Sequence, residues 1–303
     1  FQSAEQCLGA VDESDKVIVH GGGILPTRPV TGFRKPAMPQ SPSLAQLLPA
    51  VIDIARGAAG AILEVYDSEF VVQHKDDRSP LTAADRAAHE LIVTRLAALS
   101  PQWPVLSEEA DAVAYPQRRA WQRYWLVDPL DGTREFVKRN GEFTVNIALI
   151  DAGRPVLGVV QVPVRGEVYA AAGGVGAYHL AADGQRRELR VSSYRSGPLR
   201  VVASRSHASP ELAQLLDALP GHQIVSIGSS LKICLVAAGE ADFYPRHGPT
   251  SEWDTAAAQC VLEQAGGQLT DFELRPLRYN KESLLNVPFL AFGAGERPWQ
   301  SAL

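Results

Sequence analysis

Apolar residues recur at helical spacing in two segments of the first hundred residues. They fall at steps of three and four residues over Leu44–Val65, and again over 81–99. This spacing places them on one face of a helix. Thr82 and Asp85, at the start of the second segment, have the spacing of a capping box. The pattern predicts two amphipathic helices, the second with Thr82 as its N-cap.

Shorter apolar runs rich in β-branched residues follow in the middle of the chain, separated by Gly153 and Gly166. They predict a meander of adjacent antiparallel strands, formed by Thr144–Ile150, Leu157–Val164 and Glu167–Ala171. Beyond a stretch rich in serine, glycine and proline at 192–198, strand-like and helix-like segments alternate, which favours an α/β organisation. The expected segments are strands at Leu199–Ala203 and Gln223–Ile227 and helices at Glu211–Leu219, Ser229–Ala238 and Asp254–Ala265.

The first forty or so residues contain scattered prolines and a glycine run without sustained periodicity. This is typical of a linker-like segment. The single methionine, Met38, directly precedes the first regular pattern, so residues 1–37 are expected to be an added leader. We therefore predict a leader or linker-like extension at 1–43, an N-terminal α+β domain at 44–195 and a C-terminal α/β domain at 196–303.

Composition narrows the class of protein. With 303 residues, of which 46% are hydrophobic and 21% charged, the chain can bury one extended core or two compact ones. A net charge of −5 leaves no electrostatic footprint for a nucleic acid polymer. No apolar run approaches the length of a membrane span.

Cysteine usage indicates a reducing compartment, because Cys7, Cys234 and Cys260 form an odd set without CxxC spacing. Cys234 and Cys260 lie among apolar residues and are expected in the core. We expect a cytoplasmic protein; peripheral association with the inner membrane stays open.

Two carboxylates stand three positions apart after an apolar run, Asp128 and Asp131 in WLVDPLDGT. Pro129 and Gly132 are expected to end the strand there. Two acids held close raise each other's pKa unless a cation neutralises them, and oxygen ligands select a hard ion such as magnesium. An Asp-Pro turn with a second Asp would explain the string equally well.

Further acids end other segments. Glu108 and Glu109 follow a short apolar run, and Asp254 opens an alanine-rich helix. Strand ends and helix starts are where layered α/β proteins assemble active sites. Taken singly, Glu108 and Glu109 could be a solvated loop and Asp254 an ordinary helix cap. Together with the hydroxyl of Thr133 in DGT, they favour a metal site.

These strings resemble a known family. SEEA at 107–110, DPLDGT at 128–133 and WDTAA at 253–257 are similar to motifs of the magnesium-dependent, lithium-sensitive phosphomonoesterases that include inositol monophosphatases, fructose bisphosphatases and bisphosphate nucleotidases. The segments 79–85, 134–150, 204–207, 226–232 and 244–250 resemble the bacterial 3'(2'),5'-bisphosphate nucleotidases in particular. Ala258 departs from the pattern, since the family commonly has glycine there.

The resemblance implies a layered α-β-α-β-α sugar-phosphatase fold, with two sheets sandwiched between helices, and a requirement for two or three Mg2+ ions. The N-terminal domain would bind metal and the C-terminal domain substrate. The implied metal ligands are Glu108, Asp128, the Leu130 carbonyl, Asp131 and Asp254. Glu108 would also help to deprotonate the attacking water, and Asp85 paired with Thr133 would orient it.

Substrate contacts are expected from loops beside this centre. The implied residues are Gly132, Thr133, Arg134, Ser204, His207, Gly228, Ser229, Ser230, Lys232 and Asp254. The segment from Ser226 to Ser230 runs from a strand into a helix with free backbone donors, as an anion- or ribose-binding turn should. Further cations are available at Lys138, Arg139, Arg205 and Arg246, although surface cations are usually solvated.

Three functions are compatible with these residues. The first is hydrolysis of the 3'-phosphate of adenosine 3',5'-bisphosphate, and of 3'-phosphoadenylyl sulfate, by metal-activated water attack. The second is hydrolysis of inositol or sugar phosphates with the same metals. The third is a metal- or nucleotide-binding module without activity, which the presence of every implied ligand disfavours. The partner would be a small-molecule nucleotide, and the sequence leaves the oligomeric state open.

Overall fold

Two large β-sheets, each covered by helices, and two short two-stranded sheets occur in the part of the chain that the computed structural model describes, which is residues 42–74, 80–204, 210–219 and 221–303. The predicted leader at 1–37, Cys7 and His207 lie outside these residues, as does the side chain of Ser204.

The helices are α1 (Leu44–Tyr66), α2 (Ala83–Leu99), α3 (Tyr115–Arg118), α4 (Thr133–Val137), α5 (Pro210–Asp217), α6 (Leu231–Ala237) and α7 (Glu252–Gln264), with a 3-10 turn at Gln300–Ala302. The strands are β1 (Gln73–His74), β2 (Pro80–Leu81), β3 (Val105–Ser107), β4 (Arg123–Asp131), β5 (Thr144–Asp151), β6 (Arg154–Val162), β7 (Glu167–Ala172), β8 (Gly176–Leu180), β9 (Arg186–Glu188), β10 (Ser193–Tyr194), β11 (Leu199–Ser204), β12 (His222–Ile227), β13 (Phe243–Arg246), β14 (Gln268–Asp271), β15 (Phe289–Phe292) and β16 (Ala294–Gly295). The helices and strands expected from the sequence are all present, with ends shifted by a few residues.

The larger sheet has seven strands in the order β3-β4-β5-β6-β7-β8-β9. Only β3 and β4 are parallel in it, and the predicted meander of β5, β6 and β7 is antiparallel throughout. Both turn glycines, Gly153 and Gly166, have positive φ, which glycine adopts without steric cost. The smaller sheet has five strands in the order β12-β11-β13-β15-β14, with β11 parallel to β12 and β13.

Alternating side chains on the strands divide the core into layers. In β4, Trp125 and Val127 pack with α1 and α2, whereas Tyr124 and Leu126 face α6 and α7. In the smaller sheet, residues such as Val202 face the same α6–α7 layer, and their neighbours pack with Leu215 of α5 and with Trp299. Period-two alternation thus generates helix, sheet, helix, sheet and helix layers. The predicted layered fold is confirmed.

The predicted end of β4 at Pro129 is wrong. The strand continues to Asp131, and its register with β5 shifts between Asp128 and Asp131. Proline lacks the N–H that a strand ladder needs and is tolerated at such irregularities. The shift therefore carries both acids within one strand.

Helix α7 packs closely on β6 at Gly158. A Cβ added to Gly158 would lie 2.3 Å from the Ala257 carbonyl oxygen and 2.8 Å from the Cys260 Cβ. Only glycine fits this approach, which seats α7 across the middle of the larger sheet. Ala258, where the family commonly has glycine, is buried in the same core.

Cys234 and Cys260 are buried, unpaired thiols in this core, as expected.

Residues 42–303 form one compact unit. The predicted domain division at 195/196, which falls between β10 and β11, stays a prediction. Across the described ranges, no helix combines the length and apolar character needed to cross a bilayer.

Candidate active site

Three carboxylates from distant parts of the chain converge at one edge of the larger sheet. Oxygens of Glu108, Asp128 and Asp254 all lie within 4.8 Å of one another. Because β3 and β4 are parallel and pair Ser107 with Val127, the residues that follow this pair, Glu108 and Asp128, lie side by side. The Glu108 N–H donates to the Val127 carbonyl and fixes this arrangement.

Asp254 reaches the cluster from the first turn of α7. Ser251 is the N-cap residue of this helix, and the Asp254 carboxylate accepts from the Ser251 N–H at 2.8 Å. The helix start thereby fixes the Asp254 side chain. It also brings the partial positive charge of the helix N-terminus to the cluster.

The cluster is electrostatically unfavourable without a cation. Burial, followed by the charges of Glu108, Asp131 and Asp254, raises the pKa of Asp128 well above its usual range. Burial and then Asp131 raise the pKa of Asp254 to about 8. Mutual repulsion in a desolvated site is relieved by binding protons or a cation. The all-oxygen donor set fits a hard divalent cation, as predicted from the sequence.

Asp131 lies beside this cluster and is held by Ser230. Its Oδ2 accepts from both the N–H and the hydroxyl of Ser230, at 2.6 Å each. The Ser230 hydroxyl also lies 2.8 Å from the Asp254 carbonyl oxygen and accepts from the Asn146 side-chain amide at 2.8 Å. The side chain of Ser230, predicted to contact substrate, therefore contacts Asp131 and Asn146.

The predicted pairing of Asp85 with Thr133 is present. One Asp85 oxygen accepts from the N–H and the hydroxyl of Thr82 at 2.7 Å, and the other lies 3.3 Å from the Thr133 hydroxyl. The Thr133 hydroxyl also lies 3.4 Å from the Leu130 carbonyl oxygen, which belongs to the predicted ligand set. The capping box of α2 thus orients a carboxylate toward the DGT threonine.

A cleft of about 360 Å³ opens beside the carboxylates. Most of the predicted substrate contacts lie on its wall: Gly132, Thr133, Arg134, Gly228, Ser229, Ser230, Lys232 and Asp254. The wall also includes residues that were not predicted as contacts, among them Glu135, Tyr244, Arg246 and Thr250. Two of the sequence-predicted metal ligands, Asp131 and Asp254, therefore share one cleft with most of the predicted substrate residues.

Lys232 is the most deeply buried cation of the cleft, with 7% of its surface exposed. Burial lowers its pKa to about 8; Asp131 acts against this shift, and Arg246 adds to it. The ammonium group lies 5.8 Å from the centre of the Tyr244 ring. Such a desolvated cation is suited to bind an anion that enters the cleft.

Residues 226–230, named the recognition loop from this point, run from the last two residues of β12 to the start of α6. Ser229 adopts φ +47°, a left-handed conformation that is costly for a residue with a side chain. The Gly228 N–H donates to the Glu142 carboxylate at 2.8 Å, and Ser230 is bonded to Asp131. The loop is therefore fixed at both of its ends.

Some predicted cations serve other purposes. The Arg139 guanidinium donates to the carbonyls of Tyr66 and Ser68 and stacks over Phe70, so it supports the end of α1.

Glu142 and Asn146 were missed as site residues. Asn146 is a polar residue within the apolar run of β5, and such a buried polar position is the signal that could have identified it.

Three comparisons with known proteins agree with this geometry. The model of the inositol monophosphatase family matches residues 43–292. The 3'(2'),5'-bisphosphate nucleotidase CysQ of Escherichia coli K12 is 52% identical over 246 residues, which cover 80% of this chain and 98% of that protein. The crystal structure of CysQ from Bacteroides thetaiotaomicron is 43% identical with a TM-score of 0.71, covering 82% of this chain and 97% of that one. Inositol monophosphatase from Anabaena is 25% identical with a TM-score of 0.68, covering 86% and 94%.

Proposed function

The chain belongs to the inositol monophosphatase family, and on that premise we propose that it is a 3'(2'),5'-bisphosphate nucleotidase. Its substrate would be adenosine 3',5'-bisphosphate, from which it removes the 3'-phosphate to leave AMP. We include 3'-phosphoadenylyl sulfate as a second substrate, because its 5' end is also anionic.

The observation that carries this proposal is that one cleft contains two groups of opposite charge. Asp131 and Asp254 lie on its wall, as do the cations Lys232 and Arg246. A bisphosphorylated nucleotide needs both, since one phosphate must be hydrolysed while the other is bound. Because Lys232 is desolvated, its contact with a phosphate is stronger than that of a solvated lysine.

Magnesium is the cation we propose for the carboxylates. Glu108, Asp128, Asp131, Asp254 and the Leu130 carbonyl would hold two or three ions. Bound divalent ions neutralise phosphoryl oxygens, activate a water molecule and stabilise the departing alkoxide. The raised pKa of Asp128 and of Asp254 supports this assignment, because a cation relieves the repulsion that raises them.

The protein groups around this centre would orient the reactants. The Thr133 hydroxyl donates to Asp85, so its oxygen would accept a hydrogen bond from the attacking water and orient it, while Glu108 would help to take the proton that the water loses. Gly132 adopts φ +94°, and a Cβ added there would lie 3.3 Å from the Glu142 carbonyl oxygen and 3.4 Å from the Ser229 Cβ, so the DGT turn approaches the recognition loop. This close approach would place phosphate and sugar groups against both segments.

A phosphatase for inositol or sugar phosphates is the alternative. The Anabaena inositol monophosphatase shares the fold and 25% identity, well below the 52% of the E. coli nucleotidase. A neutral polyol has no second anion to bind the desolvated ammonium group of Lys232. The buried Lys232 therefore favours the nucleotide.

Side-by-side kinetics test the proposal. We expect kcat/KM for adenosine 3',5'-bisphosphate to exceed that for inositol 1-phosphate by more than about 100-fold, the effect of one or two charged contacts. Activity should require magnesium, disappear in excess chelator and decrease with lithium. Full turnover in chelator would refute the metal mechanism, and a preference for inositol 1-phosphate would support the alternative.

A further inference from the structure

Glu142 is a buried carboxylate outside both the acid cluster and the cleft wall. It has 8% of its surface exposed and lies directly before β5, in the connection from α4. One of its oxygens accepts from the Gly228 N–H at 2.8 Å, joining two segments that lie 86 residues apart. The Asn140 side chain in turn accepts from the Glu142 N–H at 2.9 Å. The bond to Gly228 thus links the larger sheet to the recognition loop.

The packing at this contact leaves no room for a side chain at Gly228. A Cβ on Gly228 would lie 2.8 Å from the Glu142 carbonyl oxygen and 2.9 Å from the Glu135 Cγ. The loop therefore approaches the backbone of the α4–β5 connection as closely as a glycine permits. Both the hydrogen bond and the missing side chain keep Gly228 against Glu142.

The two ends of the recognition loop are held independently. At the far end, Ser230 is bonded to Asp131 and Asn146, which fixes that residue to the metal-binding strand pair. At the near end, the hydrogen bond from the Gly228 N–H to the Glu142 carboxylate holds Gly228. Ser229 lies between them with φ +47°, and such strain persists only where the surroundings impose it.

We propose that Glu142 is a positioning residue for nucleotide recognition: it fixes the recognition loop so that Gly228 and Ser229 are presented to the part of the nucleotide that is not hydrolysed. This inference rests on the proposed nucleotidase function. Glu142 acts through Gly228 and does not touch the reacting phosphate.

The location of the bond predicts a selective effect. Loss of the Glu142 carboxylate releases the Gly228–Ser229 part of the loop, which can then leave its strained conformation. The bonds of Ser230 to Asp131 and Asn146 do not involve Glu142. We therefore expect the carboxylate cluster, and the hydrolysis of an ester that does not reach the loop, to remain intact.

The test compares Glu142→Ala with Glu142→Gln and with a control, Glu188→Ala, an exposed residue of β9. Steady-state kinetics use adenosine 3',5'-bisphosphate and phenyl phosphate, and calorimetry measures AMP binding with magnesium present. For Glu142→Ala we expect KM for the nucleotide and Kd for AMP to rise at least tenfold, with kcat for phenyl phosphate within twofold of the parent protein. Glu142→Gln, which keeps an acceptor for the Gly228 N–H, should restore most of the nucleotide affinity.

Equal losses on both substrates, or an unchanged KM and Kd, would overturn the inference. If Glu142→Ala does not fold, Gly228→Ala is the second variant, because its added Cβ pushes the loop away from Glu142 directly. It should raise KM for the nucleotide and Kd for AMP in the same selective manner. An unchanged KM and Kd in Gly228→Ala would also contradict the inference. The parent protein separates the two proposals. If it turns over phenyl phosphate and not the nucleotide, the proposed function fails, whereas nucleotide turnover with unaffected variants refutes only the role of Glu142.

Discussion

Replacing Lys232 by methionine should weaken nucleotide binding and stabilise the fold at the same time. Methionine preserves most of the length and apolar contact of the side chain and deletes its charge. Lys232 is almost fully buried, and burial lowers its pKa from 10.5 to about 8. At neutral pH the folded protein therefore holds a largely charged ammonium group in a desolvated position.

The size of the stability effect follows from this pKa. A lowering from 10.5 to about 8 corresponds to a destabilisation of the charged form by about 3 kcal/mol. Between these two values the unfolded chain binds the proton that the folded protein has released, so the free energy of unfolding rises with pH. The penalty is complete below about 8 and absent above 10.5. The methionine variant should thus be more stable by about 3 kcal/mol near pH 7, and this difference should decrease to about 1 kcal/mol near pH 10.

The functional effect has the opposite sign. A hydrogen bond to a charged group contributes about 1.5–3 kcal/mol, so KM for adenosine 3',5'-bisphosphate should rise by about ten- to a hundredfold. Phenyl phosphate has no second anion, and its KM should not change.

Urea unfolding in excess chelator, at about pH 7 and about pH 10, measures the first effect without metal binding to the folded state. Steady-state kinetics with both substrates measure the second. Arg119→Met, which removes a charge at an exposed position after α3, is the control and should alter neither. A variant that is less stable than the parent protein at both pH values would refute the burial argument. Equal losses on the two substrates would mean that Lys232 supports the metal centre.

Three further predictions concern the metal centre and the core. Asp254→Asn should lower kcat by more than about 10³-fold. Because burial and Asp131 raise the Asp254 pKa from 3.8 to about 8, the metal-free parent protein should lose stability as pH rises between these values. Melting curves in excess chelator should show a smaller loss of stability for Asp254→Asn over the same pH range. Thr133→Val should reduce kcat by about 10²-fold or more, whereas Thr133→Ser should retain most activity because it keeps the hydroxyl that lies 3.3 Å from Asp85. Equal rates for the two variants would show that the Thr133 hydroxyl has no role in catalysis. Gly158→Ala should destabilise the protein by about 3 kcal/mol in urea unfolding, because its Cβ would lie 2.3 Å from the Ala257 carbonyl oxygen, and an unchanged transition midpoint would contradict that packing.

Features governed by short-range chemistry could be predicted from the sequence. The capping box of Thr82 and Asp85 depends on residues three positions apart. Asp128 and Asp131 are likewise three positions apart in one motif, so the sequence alone places them close together. The convergence of Glu108 with Asp128 also follows, because both end apolar runs that become neighbouring parallel strands.

Contacts that depend on how the two sheets pack could not be predicted in the same way. The bond from Gly228 to Glu142 and that from Asn146 to Ser230 each join residues more than eighty positions apart. Their existence depends on strand register and on the seating of α6 and α7, which periodicity does not specify. The continuation of β4 beyond Pro129 was missed for a related reason, since the register shift that accommodates the proline is a property of the strand pair.

The distribution of the three converging acids along the chain has a consequence for the order of events during synthesis. Glu108 and Asp128 leave the ribosome early, whereas Asp254 follows only after the whole of the intervening sheet and loop, on the order of ten seconds later. Until then the nascent chain holds two of the three carboxylates of the cluster, and it lacks the helix that covers the sheet at Gly158. A chain cut short before α7 would therefore have an incomplete cation site, so hydrolytic competence would begin only after α7 has been synthesised.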